Sequence, residues 1–308
     1  MAAEGRAAGR KVVVFGGTGF LGGHVADRLS ELGYEVVIAD LERPASLARG
    51  QRFAECSVVD LDRVTEVVAG ADYVYNFAAI ADIDETVERP LSAVRVNVLG
   101  NTHVLEACRR HRVRRFVFAS SVYVYSRHGS FYRSTKQACE KIIENYQEHF
   151  GVDFTILRYG SLYGPRANRF NSLHKYVHQA LAEGKITRLG DGEEMREYIH
   201  VLDAAKGSVL ALGEDYRNRY LMITGMQAFK VRDVLSMIRE IMDHRIEIEY
   251  LPPAAGPHYV HVPYSFRPAR ARRLVMSEYY DLGQGLLDLM YEVEGERDAD
   301  GGAPERGT

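Results

Sequence analysis

The 308-residue chain has little of what marks several broad classes of protein. Cysteine is scarce: Cys56, Cys108 and Cys139 lie far apart and show no metal-ligand spacing. That argues against a disulfide scaffold or a metal site and fits a reduced, intracellular setting. Charge of either sign is nearly balanced, with 39 Lys+Arg against 42 Asp+Glu and a net charge of -3. No basic field therefore marks a nucleic-acid binder. The basic run Arg109 to Arg115 (RRHRVRR) falls between a helical pattern and an apolar strand, where cations complement a helix C-terminus. No apolar run approaches the ~18 residues of a membrane span. The segment MAAEGRAAGR at the start lacks the apolar core of a secretory signal. No internal repeat is visible. The expectation is a cytoplasmic protein that binds neither membrane nor nucleic acid, long enough for one large α/β domain or two.

What is present centres on Lys11 to Leu21 (KVVVFGGTGFL), continued by Gly22. The apolar run Val12 to Phe15 suits a strand buried on both faces, as in a parallel sheet. The glycines at 16, 17, 19 and 22 let the chain turn sharply and let backbone N–H groups approach a bulky anion. Phe20, Val25 and Leu29 then recur at helical spacing, so the turn opens a helix with its positive end toward the same place. The next strand, EVVIA from Glu35, ends at Asp40, about twenty residues past the turn, where a carboxylate can accept from a ribose 2′-OH and repel a 2′-phosphate. A surface Asp closing a strand is the plainer alternative. With the glycine turn upstream, the pair points to NAD in preference to NADP, a preference tempered by nearby Arg43.

Further strands are predicted at Gln51 to Val59, Asp72 to Phe77, Arg115 to Ala119 and Asp153 to Leu157. Helices are predicted at Leu61 to Val68, Pro90 to Arg110 and Ser134 to Phe150. The alternation implies right-handed crossovers and a doubly wound parallel sheet with helices on both faces. Small residues Ala78 and Ala79 at a strand's end leave room for a flat ligand against the backbone. Past Tyr159 the pattern loosens. Helices are expected at Ser172 to Glu183, Leu202 to Leu212 and Val231 to Asp243, and short strands near Ile186 to Leu189, Tyr220 to Ile223 and Ile246 to Tyr250. The reading is a dinucleotide-binding domain over 11–160, an interleaved smaller α/β lobe over 161–293, and a disordered, Gly- and charge-rich tail over 294–308.

The chemistry is read from the end of the strand at Arg115, where Ser120 and Ser121 stand, and from Tyr132-x-x-x-Lys136, which opens a helix. At that spacing the two side chains share a face. A nearby ammonium stabilises phenolate, lowers the tyrosine pKa and makes it a usable base near neutrality. A serine hydroxyl at the strand end can bond the same substrate oxygen. Such a trio deprotonates an alcohol while a nicotinamide takes hydride from its carbon.

These residues resemble the extended short-chain dehydrogenase/reductases, specifically the NAD-dependent nucleotide-sugar epimerases and dehydratases. The resemblance spans about Lys11 to Leu289 through GGTGFLG, Asp60-Leu61, NFAA, NVLGN, FASSVYVYS, YRSTK, LRYGSLYGPR and GDGEEMREYIHVLDAA. It implies Ser121, Tyr132 and Lys136 as the catalytic residues. It implies a cofactor site at Gly16, Gly19, Phe20, Leu21, Gly22 and Asp40, with adenine at Asp60 and Leu61, a groove lined by Ala78 and Ala79, and Tyr159 near the nicotinamide. Substrate would be held by Ser121, Tyr132, Ser161, Arg196 and Arg267, with the planar Arg196 guanidinium on the diphosphate; its alternative is an ion pair with Glu193 or Glu194. His200 and Asp203 would orient the following helix.

The departures narrow the activity. Related 4,6-dehydratases carry Asp-Glu after the catalytic hydroxyl residue, and this chain has Val122-Tyr123, which leaves water elimination without its proton carriers. The Tyr125 to Tyr132 connection is shorter than usual for the family, and Ser161 stands where many epimerases have Asn. The leading expectation is NAD-dependent C4 epimerisation of a nucleotide-linked sugar through a 4-keto intermediate. A one-way C4 oxidoreductase is the alternative, ahead of a 4,6-dehydratase or a non-catalytic dinucleotide sensor. The family also implies a homodimer built from the helices at Val96–Arg110 and Ser134–Phe150. Val104, Ile142 and Ile143 either serve that interface or pack on the protein's own sheet.

Overall fold

The computed structural model describes residues 9–252, 260–262 and 272–299. The first half alternates as expected: β1 (Lys11–Phe15), α1 (Phe20–Glu31), β2 (Glu35–Asp40), β3 (Gln51–Glu55), α2 (Leu61–Val68), β4 (Tyr73–Asn76), β5 (Arg115–Ser121) and β6 (Phe154–Tyr159). Two later strands, Arg219–Ile223 and Arg272–Arg273, complete an eight-stranded sheet. Its order from one edge is Arg272–Arg273, Arg219–Ile223, β6, β5, β4, β1, β2, β3, with every pairing parallel. Val14 sits opposite both Ile38 and Tyr75. Between β1 and β4 the order reverses, and a crevice opens there at the strands' carboxyl ends.

The two-residue side-chain period of the strands divides the core. Val13, Phe15, Val74, Phe116, Phe118 and Ile156 pack with α2 and with the helices Asn101–His111 and Ser130–Phe150. Val12, Val14, Ile38, Tyr75, Val117 and Leu157 pack with α1 and with the helix Val201–Leu210. Val12 to Phe15 are fully buried, which accounts for the unbroken apolar run in the sequence. Val104 and Ile143, also fully buried, belong to the chain's own core, and Ile142 packs against it. The second alternative given for these residues is therefore the one found.

A smaller lobe has its own core, in which the helices Ser172–Glu183, Val231–Ile241 and Leu282–Ala299 bury Val177, Leu235, Ile238, Leu286 and Leu289. Its ribbons pair Lys185–Leu189 with Glu247–Leu251, Ser161–Tyr163 with Tyr198–His200, and Met195–Arg196 with Phe229–Lys230. The lobes interleave: Val201–Leu210 follows a lobe strand yet packs on the large sheet. A polar seam adds to this. His24 of α1, 6% exposed, donates from Nε2 to the Pro165 carbonyl at 2.8 Å, leaving Nδ1 to accept from Arg166 at 2.5 Å. Arg166 also pairs with Asp27 at 2.8 Å.

Several expectations change. The third strand stops at Glu55. Arg219–Ile223 joins the large sheet beside β6 and not the small lobe. The helix from Pro90 contains a π-helical stretch, Val94–Gly100, between the α-helical Pro90–Ala93 and Asn101–His111. The last helix runs on to Ala299, so residues 294–299, read as tail, are helical. Among the described residues, no helix is long and apolar enough to cross a membrane.

Candidate active site

β1 runs straight into Gly16, whose φ of +72° favours glycine. A Cβ there would stand 2.6 Å from the Ala78 nitrogen, and one on Gly22 would stand 2.1 Å from the Gly16 carbonyl. The turn is thus folded against both the end of β4 and the start of α1, in a cradle any side chain would fill. The N-cap of α1 is Gly19, which offers no side-chain acceptor, so the first amides of the helix stay available to an anion. Asp40 braces the turn from β2: Oδ2 accepts from the Thr18 amide at 3.0 Å and hydroxyl at 2.5 Å, and Oδ1 from the Leu41 amide at 2.8 Å.

From this turn a cleft of about 470 Å³ runs to the end of β5. Gly16, Gly19, Phe20, Leu21 and Gly22 line one end, Ala79 and Ile80 the middle, and Ser121, Tyr132, Lys136 and Tyr159 the far wall. One continuous space therefore joins the phosphate cradle to the three residues expected to do chemistry. That space and cradle fit a dinucleotide.

Ser121 caps the short 3₁₀ turn Val122–Tyr125, its Oγ accepting from the Tyr123 amide at 3.3 Å. Tyr132 and Lys136 lie on the helix Ser130–Phe150. Lys136, 4% exposed, donates from Nζ to the Ala119 carbonyl at 2.7 Å and lies 5.7 Å from the centre of the Tyr132 ring. Burial pulls its pKa down to about 8, so it is mostly but not wholly cationic at neutral pH. The Tyr132 hydroxyl is pushed above its ordinary value by burial, with a hydrogen bond to Ser121 acting the other way. This corrects the expectation of a tyrosine lowered by its lysine: in this structure the ammonium is committed to β5.

Several expected binding residues do not line the cleft, namely Asp40, Asp60, Leu61, Ala78, Ser161 and Arg196. Asp60 caps α2 by accepting from the Arg63 amide at 3.1 Å, Leu61 is the first residue of that helix, and Ala78 supplies the backbone on which Gly16 rests. Ser161 begins the strand paired with Tyr198–His200. Arg196 donates to the Met195 carbonyl at 2.9 Å. Of the glutamates considered as its partners, Glu193 pairs with Lys230 and Arg232, and Glu194 with Arg188. Arg267 lies outside the described residues. His200 caps the helix Val201–Leu210, with Nδ1 accepting from the Leu202 amide at 3.4 Å, and Asp203 accepts from the Tyr280 amide at 2.6 Å. Burial lowers the His200 pKa to about 4, so it caps as neutral imidazole.

Other residues of the site were not anticipated. Phe77, Ile80 and Asn168 line the cleft. Beneath it, Glu140 and Arg158 form a buried ion pair. The signal for the pair was an arginine inside the apolar strand FTILRY: a charge there needs a partner. Among the described residues, no group of three or more His, Cys, Asp and Glu could hold a metal ion.

A glycine cradle at the switch point of a doubly wound sheet, opening on a Ser/Tyr/Lys wall, defines a dinucleotide-dependent enzyme of the short-chain dehydrogenase/reductase class. The chain belongs to the NAD dependent epimerase/dehydratase family, whose model matches residues 12–221, and NAD is its cofactor. It is similar to the UDP-glucose 4-epimerase of Corynebacterium glutamicum, 30% identical over 280 residues, covering 80% of this chain and 84% of that one. It is also similar to a putative UDP-glucose 4-epimerase of Methanocaldococcus jannaschii, 28% identical over 274 residues, 80% of this chain and 88% of that one. Among solved structures, the Thermotoga maritima UDP-glucose 4-epimerase with UDP-glucose matches with a TM-score of 0.80 and 25% identity, covering 93% of this chain and 99% of the other.

Proposed function

We propose that the protein inverts C4 of a nucleotide-linked sugar through a 4-keto intermediate, with a uridine diphosphate sugar as the first substrate class to test. The observation carrying this reading is the single cleft that joins the glycine cradle to Ser121, Tyr132 and Lys136. NAD, when bound, supplies the acceptor and returning donor for hydride. Tyr132 takes the C4 hydroxyl proton, and Ser121 donates a hydrogen bond to the same oxygen. Lys136 supplies positive charge beside the phenol. Asp40 braces the cradle and disfavours a 2′-phosphate, Asp60 and Leu61 lie toward adenine, and Ser161, Arg196 and Arg267 hold the substrate's phosphates and sugar.

Val122 and Tyr123 support the choice against dehydration. Val122 is 3% exposed and has no ionisable group to move a proton, and the Tyr123 ring meets Tyr132 edge-on at 6.3 Å. The decisive experiment uses UDP-glucose deuterated at C4. Epimerisation yields a C4-inverted product that keeps its deuterium, with no net NADH. Release of a 4-keto sugar with NADH growing in proportion to added NAD would replace this reading with one-way oxidation by the same residues. The working form is proposed as a homodimer built from the helices at Val96–Arg110 and Ser134–Phe150, which expose Leu99 and Phe150.

A further inference from the structure

Arg158 lies next to Tyr159 on β6, and Glu140 one turn past Lys136 on the catalytic helix; they are 8% and 5% exposed. Arg158 clasps Glu140 twice, Nη2 to Oε2 at 2.6 Å and Nε to Oε1 at 2.9 Å. Ser120, which precedes Ser121, donates to Glu140 Oε1 at 2.6 Å. Arg158 also donates to the Tyr125 hydroxyl, at the end of the turn that Ser121 caps. Taking two such charges out of water costs several kcal/mol per ion, and an apolar pair of equal volume is often as stable or more so. Stability is therefore a poor reason for an ion pair here. Its neighbours offer a better one, since each member adjoins a residue of the catalytic wall.

We propose that the Glu140–Arg158 pair is a positioning device, which ties the end of β5 carrying Ser121 to the helix carrying Tyr132 and Lys136 and holds Lys136 beside a balanced pair of charges. The proposal rests on the reading of those three residues as the chemical wall. Neither Glu140 nor Arg158 lines the cleft, so both act through their neighbours. Glu140 is one turn from Lys136, and its charge works against the burial that depresses the ammonium. The other ionisable groups around Lys136 are Tyr132 and Cys139 on its own helix, Tyr159 on β6 and, at the cleft, Asp82 and Glu85. None of these is altered by the variants below.

The test is an NMR titration of Lys136 in the full-length protein with ¹³C-labelled lysine, its signal assigned by loss in Lys136→Arg. In Glu140→Gln the negative charge goes and Arg158 is left unpaired, so the titration moves down by about one pH unit. In Arg158→Met the acid is left unopposed and the titration moves up. The double variant returns it toward the starting value. A purely structural pair would lower the melting temperature in both single variants and leave the titration where it was, and that result overturns the proposal. Should a single variant fail to fold, Ser120→Ala carries the test. It removes one bond to Glu140, exposes more of that acid's charge to Lys136 and raises the titration by about a few tenths of a pH unit; no movement there overturns the proposal as well. Turnover of UDP-sugar is followed in parallel. Opposite shifts without turnover sustain the positioning role and end the epimerase reading, while unmoved titrations with intact epimerisation do the reverse.

Discussion

Tyr132 and Lys136 show how far a motif and its geometry can diverge. The i, i+4 spacing places them on one face, yet the ammonium bonds the Ala119 carbonyl and the phenol is raised by burial. The phenol of the proposed base is raised in this structure, so in that role its activation falls to what enters the cleft as well as to its lysine. Tyr132→Phe keeps the ring and removes the proton acceptor, so NAD(H) binding by fluorescence titration should persist while turnover falls about 10²–10⁴-fold. Turnover within a factor of a few of the parent enzyme would assign the base elsewhere. Lys136 offers a second test. Burial holds its pKa at about 8 against an ordinary lysine value of 10.5, so the folded state resists protonation. The resulting penalty on stability is fully present below pH 8, roughly 3 kcal/mol before any loss of its hydrogen bond is counted. It disappears as the pH rises toward 10.5. Lys136→Met should thus melt at a higher temperature than the parent at pH 7, with the gap closing toward pH 10, while losing turnover. A lower melting temperature at pH 7 would mean that the Ala119 bond outweighs the burial cost.

At the scale of elements, what could be read from sequence was what is encoded locally. β1, β2 and β4 to β6 announced themselves because both faces are buried, and the glycine turn because backbone approaches backbone there. The π-helical stretch Val94–Gly100 could not be read, since it shares its residue preferences with an α-helix and differs only in hydrogen-bond register. It has a use at Asn97, which is 3% exposed. Its side chain accepts from the Ile80 amide at 2.8 Å and donates to the Ile80 carbonyl at 3.1 Å and to Thr135 at 3.2 Å. Asn97 so fastens the cleft-lining loop after β4 to the helix that carries Lys136. Asn97→Ala leaves the partly buried Ile80 N–H and carbonyl without their side-chain partner, at a cost toward the low end of about 1–3 kcal/mol. The expected result is a lower denaturation midpoint and weaker NAD(H) binding, and unchanged affinity would show that Ile80 holds its place unaided. Glu140 and Arg158 were only half legible: an arginine inside FTILRY signals that a partner exists, but only the β5–β6 pairing and the overlying helix show that the partner is Glu140.

For the whole molecule, the same distinction explains why the proposed binding residues of the smaller lobe were the hardest to place. Ser161 and Arg196 sit in strands of two or three residues whose partners are distant in sequence. The assembly has its own test. Light scattering at micromolar concentration should give twice the 34.7 kDa of one chain, and a single-chain mass would remove the proposed dimer. Cutting the chain after residue 160 tests the lobes' independence. The fragment would lack Arg219–Ile223, leaving β6 as a bare parallel edge, and would lose the helix Val201–Leu210 from one face. It should aggregate, whereas the full chain unfolds in one transition by circular dichroism and tyrosine fluorescence. A soluble, NAD-binding fragment would contradict this.

The strand Arg219–Ile223 also limits how such a protein can be recombined. The chain leaves the large sheet at β6, builds part of the lobe, returns to lay Arg219–Ile223 beside β6 and leaves again before Arg272–Arg273 completes the hem at the edge. A graft intended to import a relative's sugar preference cannot be a simple cassette beginning at residue 161, because that cassette would carry the host's own hem away with it. The donor must either match β6 residue for residue, Arg219 to Thr155 through Ile223 to Tyr159, or leave the host's strand in place and exchange only the loops on either side. In this architecture new specificity has to enter through the seams.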